Sequence, residues 1–380
     1  MPVSFDLTDE QKQFQDLARR FAREVIAPVA HEWDERQQYP QPVIEAAFEA
    51  GLLNPAIPAA AGGSGLPLFD ICLIGEELAW GCMGIYSIMM ASDLGVTPIA
   101  IAGTTDQQKE FLGPLTEGPR VAAFCLSEPN AGSDAASLRS RLTPKGDGYV
   151  LNGVKQWITN GGVADIYVVF ATTDPEKGAK GITACVVTKG QAGVKPAKFE
   201  DKLGQRAAAT AQMVFEDVEV SRNAILGGPG EGFKIALATL DKTRVDVGAG
   251  SVGVARRAME EAIAYGKERV QFGRPIIENQ ALQFKAADMA TKIEAARLLV
   301  WQAAWLSDRG VRQTRQSAMS KMYGSDIAME ITVEAIQIFG GYGYSKEYPV
   351  EKLMRDVKLN QIYEGTNEIL RLVIARTLLS

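Results

Sequence analysis

The segment GYVLNGVKQWITNG, residues 148–161, shows the local pattern that decides the fold class of this chain. It is rich in β-branched and aromatic residues, and the turn residues Gly146-Asp147-Gly148 lead into it. Segments of the same kind surround it: VAAFCLSE (121–128), DIYVVFATT (165–173), GITACVVTK (181–189) and TAQMVFEDVEV (210–220). These segments predict a β domain in the middle of the chain.

Helical periodicity is found on the N-terminal side of this β region. Thr8 and Gln11 have the spacing of a capping box, and apolar residues recur at helical spacing after them. Further helices are predicted around residues 42–51, 69–92 and 105–117. The first third of the chain is therefore predicted to be helical.

Helical periodicity also returns after GGPGEGF (227–233), which we interpret as a turn into a long helix. Glycines at 310 and 340–341 break the later helices. The predicted fold class is α+β. We predict an N-terminal helical domain (1–120), a middle β-barrel or β-sheet domain (121–230) and a C-terminal helical bundle of the four-helix type (231–380).

Composition excludes several classes of function. The 380 residues are 46% apolar and 23% charged, as in ordinary globular proteins, and the formal net charge of -6 argues against nucleic-acid binding. The single histidine, His31, is predicted on a helix surface, so neither a Ser-His-Asp triad nor a histidine metal site is expected. No metal site is predicted. Cysteines 72, 82, 125 and 185 lie in apolar surroundings and are predicted to be reduced, buried thiols.

The N-terminal segment MPVSFDLTDEQ is acidic and lacks a long apolar core, so we predict that it is not a signal peptide. We found no run of about 18 apolar residues and predict no membrane span. A cytoplasmic location is expected, and the mature form of a mitochondrial matrix protein remains an alternative.

One carboxylate has an unusual position. In QIYEGTNEIL (361–370), Glu364 lies between an apolar-aromatic pair and a glycine, directly before the capping-type triplet Thr366-Asn367-Glu368. A buried charge costs free energy unless it is paired. Position alone favours the simpler interpretation, a glutamate in the first turn of a helix.

Seven segments, taken in order, resemble the acyl-CoA dehydrogenase family along nearly the whole chain, most closely its medium-chain and short-chain branches. They are CLSEPNAGSD (125–134), WITNGG (157–162), LDKTR (240–244), ERVQFGRPI (268–276), QIFGGYGY (337–344), EYPVEKLMRD (347–356) and IYEGTNEI (362–369). The resemblance implies an FAD enzyme of fatty-acid β-oxidation that converts an acyl-CoA thioester to the trans-2-enoyl-CoA. It also implies a homotetramer that passes electrons to an electron-transferring flavoprotein.

The resemblance assigns the catalytic base to Glu364. In the family such a base takes the α proton while the β hydrogen passes as hydride to flavin N5, and burial raises the base's pKa. Some members carry the base at the position of Thr243, but threonine cannot serve as a base. Two alternatives remain open: an acyl-CoA oxidase-type flavoenzyme that uses dioxygen, and a non-catalytic CoA-binding scaffold.

The resemblance also implies the binding residues. The cofactor-binding positions are Phe124, Cys125, Leu126, Ser127, Ser133, Trp157, Ile158, Thr159, Arg269, Gln271, Phe272, Gln280, Gln337, Ile338, Gly340, Gly341, Thr366 and Glu368. Of these, Gln337 and Gly341 are expected from a neighbouring subunit. The substrate-binding positions are Ser133, Asp241, Arg244, Arg312, Tyr363, Gly365, Tyr86 and Met90. Simpler alternatives exist for Trp157 (β-domain core), Arg269 (a surface ion pair), Arg244 (a structural arginine) and Met90 (ordinary core).

Overall fold

A computed structural model describes residues 5–379 as three consecutive parts: helices, a β-sheet and a second set of helices. The N-terminal helices are α1 (Asp9–Phe21), α2 (Ala30–Arg36), α3 (Gln41–Glu49), α4 (Leu68–Gly81), α5 (Met83–Ala102) and α6 (Thr105–Leu112). The C-terminal helices are α7 (Gly232–Glu268), α8 (Gln280–Asp308), α9 (Thr314–Phe339), α10 (Val350–Lys358) and α11 (Asn367–Leu379). The predicted α+β class is confirmed.

The middle part is one sheet of eight strands. They are β1 (Ala122–Cys125), β2 (Arg141–Lys145), β3 (Gly148–Thr159), β4 (Ile166–Thr172), β5 (Ile182–Thr188), β6 (Val194–Phe199), β7 (Thr210–Val220) and β8 (Ile225–Leu226). Seven follow the order β6-β7-β3-β2-β4-β5-β8, and β1 pairs with β4 in parallel. β3 and β7 pair antiparallel with two register shifts, the second of them between Lys155 and Ile158.

The sequence patterns located five of these strands and missed β2, β6 and β8. β2 and β6 each contain a proline among charged residues, and nearly all their side chains are exposed, so neither shows apolar alternation. β8 is only two residues long. A two-stranded hairpin, β9 (Val270–Gln271) with β10 (Arg274–Pro275), also interrupts the C-terminal helices and was not predicted.

Several helix predictions are confirmed, and two need correction. Thr8 and Gln11 form the predicted capping box, and α7 begins within GGPGEGF. The predicted helix over 69–92 is instead two helices, because the backbone of Cys82 is extended between α4 and α5. The helix predicted over 105–117 ends at Leu112 and continues as a 3-10 turn.

Helix α5 is, by length and composition alone, apolar enough to cross a membrane, which the sequence analysis did not find. However, 78% of its most apolar window is buried inside the fold, and buried core helices of soluble proteins pass the same test. Its apolar character therefore follows from its place in the core. All four cysteines are free and buried, as predicted, and His31 lies half-exposed on α2 beside Glu35.

Helix α7 is the central helix of the C-terminal part and packs closely on two neighbours. A Cβ atom at Gly253 would lie 2.1 Å from the Glu76 carbonyl oxygen of α4, and one at Gly248 would lie 3.2 Å from backbone atoms of Ser320 in α9. Arg256 of α7 also forms an ion pair with Glu76 at 2.9 Å. This close packing positions the first half of α7 against α9.

We predict that Gly253→Ala destabilises the protein by about 2 kcal/mol. In an open helix this change stabilises by about 1 kcal/mol, but here the added methyl group would overlap backbone atoms that no rotamer can move. Thermal or denaturant unfolding measures the difference. Gly228→Ala, in the loop before α7, is the control for an added methyl group, because a Cβ there meets no atom within 4 Å. Equal stability of the two variants would contradict the close-packing argument.

Candidate active site

Glu364 lies in a tight turn before α11 and not in the first turn of a helix. Its φ is +53°, and that of the following Gly365 is +101°, so two successive residues have a positive φ. A positive φ is unfavourable for a glutamate and persists only where surrounding contacts enforce it. The simpler interpretation, a glutamate in the first helical turn, is therefore wrong, since α11 begins at Asn367.

The two carboxylate oxygens of Glu364 differ in their surroundings. Oε2 accepts a hydrogen bond of 2.6 Å from the Thr243 hydroxyl. Oε1 is buried and has no hydrogen-bond partner among the described residues. A buried carboxylate oxygen without a partner is costly, and such atoms occur where a ligand completes the site.

Burial raises the pKa of Glu364, and three neighbours oppose that effect: the hydrogen bond from Thr243 and the positive charges of Arg244 and Lys321. Although the residue as a whole is only half-buried, its carboxylate lies below the surface. The side chain is thus a stronger base than an exposed glutamate, because burial disfavours its charged form. A raised pKa is typical of carboxylates that exchange a proton in a reaction.

The backbone of the turn is bound from two helices. The Nε atom of Arg244 in α7 donates to the Glu364 carbonyl at 2.7 Å, and the Nζ atom of Lys321 in α9 donates to the Gly365 carbonyl at 2.8 Å. Sequence reasoning missed Lys321 entirely and considered Thr243 only as an alternative base position. The signal for Lys321 was present: it interrupts a run of small residues at helical spacing, Ser317, Gly324 and Ala328.

Arg244 and Asp241 were predicted to contact substrate, but the structure engages both within the protein. Arg244 is only 5% exposed and pairs with Asp241 at 3.3 Å. The other carboxylate oxygen of Asp241 accepts a hydrogen bond from the Thr314 hydroxyl at 2.6 Å. For Arg244 the structural alternative is therefore favoured. Arg312 lies on the surface beside Thr314, so the structure does bring it near Asp241.

Two of the residues predicted to bind substrate, Tyr86 and Met90, are buried. The Tyr86 hydroxyl donates to the Asp246 carboxylate at 2.5 Å, and Gly75 of α4 leaves room for this pair, because a Cβ there would lie 2.2 Å from the hydroxyl. Burial raises the pKa of Asp246 to about 7. Met90 is part of the main hydrophobic core, which agrees with the simpler alternative given for it above. The Tyr363 hydroxyl donates to Asn360 at 2.9 Å.

The middle sheet brings two of the predicted cofactor segments together. The Ser127 carbonyl, just after β1, accepts a hydrogen bond of 2.9 Å from the backbone N–H of Gln156 in β3. The next residue, Trp157, has a φ of +62° within the second register shift, and it is 62% exposed, which rules out the core alternative. Its indole thus offers a flat apolar surface. In the same region Cys125, Leu126 and Ile158 are buried, Phe124, Ser127 and Thr159 are half-buried, and Ser133 is exposed.

A second group of predicted cofactor residues surrounds a cavity of about 540 Å³ in the C-terminal part. Its lining includes the predicted residues Arg269, Gln271, Ile338, Gly340 and Gly341. The Arg269 guanidinium lies 5.4 Å from the centre of the Tyr342 ring, so the surface ion-pair alternative is not supported. One chain thus places Arg269 beside Gly341, and the contribution of Gln337 and Gly341 to a neighbouring subunit's cofactor stays a prediction.

The remaining predicted residues lie around these features. Phe272 is fully exposed at the tip of the β9–β10 hairpin, and Gln280 and Gln337 are exposed at helix ends. Thr366 caps α11, because its hydroxyl accepts a hydrogen bond of 3.3 Å from the N–H of Ile369. Glu368 is exposed in the first turn.

Comparisons with known proteins identify the class of protein that this fold and site define. Three family domains match consecutive parts of the chain: "Acyl-CoA dehydrogenase, N-terminal domain" (residues 8–119), "middle domain" (123–218) and "C-terminal domain" (230–379). The chain belongs to the acyl-CoA dehydrogenase family.

Individual relatives make the comparison more specific. The chain is 45% identical to a short-chain specific acyl-CoA dehydrogenase of Megasphaera elsdenii, with 99% of this chain and 100% of that one covered. It is similar in structure to butyryl-CoA dehydrogenase from Megasphaera elsdenii (TM-score 0.97, 44% identity, full coverage of both chains). A chain in a structure of the electron transferring flavoprotein of Acidaminococcus fermentans matches equally well (TM-score 0.97, 46% identity, coverage of 99% and 100%). The protein is an acyl-CoA dehydrogenase.

FAD is its cofactor, as in a related glutaryl-CoA dehydrogenase from Mycobacterium smegmatis solved in complex with FADH2 (TM-score 0.92, 28% identity, coverage of 98% and 95%). The residues present fit such a group. The exposed indole of Trp157 suits a flat ring system, and the forked guanidinium of Arg269 in its cavity suits a diphosphate. The unpartnered Oε1 of Glu364 fits a site completed by bound molecules.

We predict that Arg269→Ala weakens FAD binding at least about tenfold, because a charge-assisted bidentate contact is lost. Equilibrium dialysis followed by the flavin absorbance measures the retained cofactor. Arg274→Ala is the matched control: it removes an arginine from the same hairpin, and the Arg274 side chain binds Asn279 instead. If both variants retain FAD equally, Arg269 does not bind the diphosphate.

Proposed function

We propose that this protein removes the α and β hydrogens of a short acyl-CoA thioester, with Glu364 as the base that takes the α proton. The observation that carries the proposal is the buried, unpartnered Oε1 of Glu364 on a carboxylate whose pKa is raised. Thr243 holds Oε2, which leaves Oε1 as the oxygen free to accept a proton. An α proton of a thioester is weakly acidic, so a strengthened base is what this reaction needs.

A backbone group of the chain can also stabilise the negative charge that develops on the thioester oxygen. The N–H of Glu364 forms no hydrogen bond with any residue between 5 and 379, so it is free to donate to that oxygen. Gly365 suits this approach because a side chain there would add bulk beside the Arg244 guanidinium and would adopt a strained φ. Bound FAD supplies the acceptor for the hydride that leaves the β carbon.

We propose a four-carbon acyl chain as the preferred substrate. Tyr86 supports this assignment because its hydroxyl is bound by Asp246 and its ring packs near Gly250 of α7, so the side chain cannot swing aside for a longer chain. The relatives that are named for short-chain or butyryl substrates give further support. Anaerobic flavin reduction across straight-chain acyl-CoAs of increasing length tests it, and a preference for chains of eight or more carbons would contradict it.

We propose an electron-transferring flavoprotein as the electron acceptor, because a closely similar chain occurs in a structure of such a protein. Reoxidation of the reduced enzyme distinguishes the alternatives. Fast reoxidation by air would indicate an oxidase instead, and no flavin reduction by any acyl-CoA would indicate a non-catalytic scaffold. We also propose a homotetramer, since Phe272 and Tyr344 are large, exposed side chains of the kind that a second copy covers. The cytoplasmic location stays a prediction.

Glu364→Gln is predicted to lower the rate of flavin bleaching by butyryl-CoA at least about 1000-fold, because the amide cannot accept the proton. FAD content and the dissociation constant for butyryl-CoA should change less than about threefold, since the side chain keeps its shape. Stopped-flow absorbance without oxygen measures the rate. A variant that bleaches at the wild-type rate would refute the assignment of the base.

Thr243→Val is predicted to move the acid limb of the pH–rate profile upward by about one pH unit. The hydroxyl stabilises the ionised carboxylate, so its loss raises the pKa of Glu364, and the active, ionised form then appears only at higher pH. Thr239→Val is the control, since the Thr239 hydroxyl lies one turn earlier and has no partner among the described residues. If the two profiles coincide, the hydrogen bond does not tune the base.

A further inference from the structure

Lys321 is a buried cation in the middle of α9. It is 0% exposed, and burial lowers its pKa to about 7. A lysine in such a place is unfavourable for stability unless its charge has a specific use. Its surroundings indicate that use.

The ammonium group of Lys321 binds the segment that carries Glu364. It donates to the Gly365 carbonyl at 2.8 Å and to the Asn367 Oδ1 atom at 2.9 Å. The Asn367 amide nitrogen donates in turn to Asp326 of α9 at 2.7 Å. The residues that follow Glu364 are therefore bound to α9 through side chains.

The Lys321 contact and the Arg244 contact act on neighbouring peptide units. Arg244 holds the carbonyl of Glu364 from α7, and Lys321 holds the carbonyl of Gly365 from α9. Both residues have positive φ, and for Glu364 this conformation is unfavourable and persists only where contacts enforce it. Two cations on two helices thus enforce the turn that aims the Glu364 carboxylate.

Lys321 also acts on Glu364 through its charge. The positive charge lowers the pKa of Glu364 and so opposes the effect of burial. The other charged groups that influence Lys321 are Arg244 from α7, Asp326 on α9 itself and Glu368 from α11. Lys321 carries its positive charge below about pH 7, and in that range the charge favours the ionised form of Glu364.

We infer that Lys321 is a positioning residue for the reaction: it holds the Glu364–Gly365 turn through the Gly365 carbonyl, and its charge favours the ionised form of the base. This inference rests on the proposed role of Glu364. It assigns a function to a side chain whose hydrogen bonds go to the Gly365 carbonyl and Asn367 and not to the Glu364 carboxylate.

The test is the pH dependence of flavin bleaching by butyryl-CoA in Lys321→Met. The acid limb should move upward by at least about half a pH unit, because removal of a nearby positive charge raises the pKa of Glu364. At pH 6.5 the bleaching rate should fall at least about tenfold, because both the positive charge and the hydrogen bond to the Gly365 carbonyl are lost. The dissociation constant for butyryl-CoA should change less than threefold. Above pH 8 the charge effect should disappear because wild-type Lys321 is then also uncharged, and the rate difference that remains should report the lost hydrogen bond to the Gly365 carbonyl.

Two further variants separate positioning from a general structural role. Lys202→Met removes a lysine whose Nζ donates to the Ala208 carbonyl at 2.7 Å and whose pKa is lowered to about 8, but which does not contact the Glu364 segment. Its acid limb should stay at the wild-type position. Lys321→Arg keeps the positive charge, so the acid limb of its pH–rate profile should also stay at the wild-type position. Its bleaching rate should be lowered less than that of Lys321→Met.

The role of Lys321 can fail while the proposed role of Glu364 holds, and the variants separate the two cases. If wild type bleaches and Glu364→Gln does not, the base is established, and an unmoved acid limb in Lys321→Met then overturns the inference about Lys321 alone. A limb that moves equally in Lys202→Met also overturns it. If Lys321→Met does not retain FAD, the Lys321→Arg variant decides. An unmoved acid limb of its pH–rate profile together with a lowered bleaching rate supports the inference. A shift of that limb by half a pH unit, or a wild-type bleaching rate, overturns it.

Discussion

A carboxylate held below the surface in a left-handed turn is the constraint around which this structure is organised. Neither the burial of Glu364 nor its φ of +53° is favourable in itself, and each requires partners that the turn cannot supply. Those partners come from α7, through Thr243 and Arg244, and from α9, through Lys321. The site therefore exists only where these two helices and the start of α11 meet.

The packing of the C-terminal helices explains how they meet there. Gly248 lets α7 approach the backbone of Ser320, the residue directly before Lys321 in α9. Gly253 lets the same helix approach α4, which also supplies Gly75 behind Tyr86 and Asp246. Close contact at glycines thus sets the distance from Glu364 to Arg244 and Lys321 and leaves room for the Tyr86–Asp246 pair. Stability and chemistry depend on the same helix crossings.

Sequence reasoning predicted much of the fold and singled out Glu364, but it predicted less of that residue's surroundings. Segments rich in β-branched and aromatic residues located β3, β4, β5 and β7, whose side chains are mostly buried or half-buried, whereas the exposed, proline-containing β6 gave no such pattern. Arg244 was assigned to substrate, yet its guanidinium binds the Glu364 carbonyl. A motif can mark a residue as part of a site without indicating which neighbour it contacts.

The sequence by itself determined the order of helical and β segments, the capping of α1 and the family's characteristic segments, because these depend on residues close together in the chain. Only the tertiary structure decided which oxygen of Glu364 is free, which cations hold the turn, and that Lys321 is one of them. These facts depend on contacts between residues 44 to 121 positions apart. Local patterns carry no information about such contacts, since they form only when separate helices pack together.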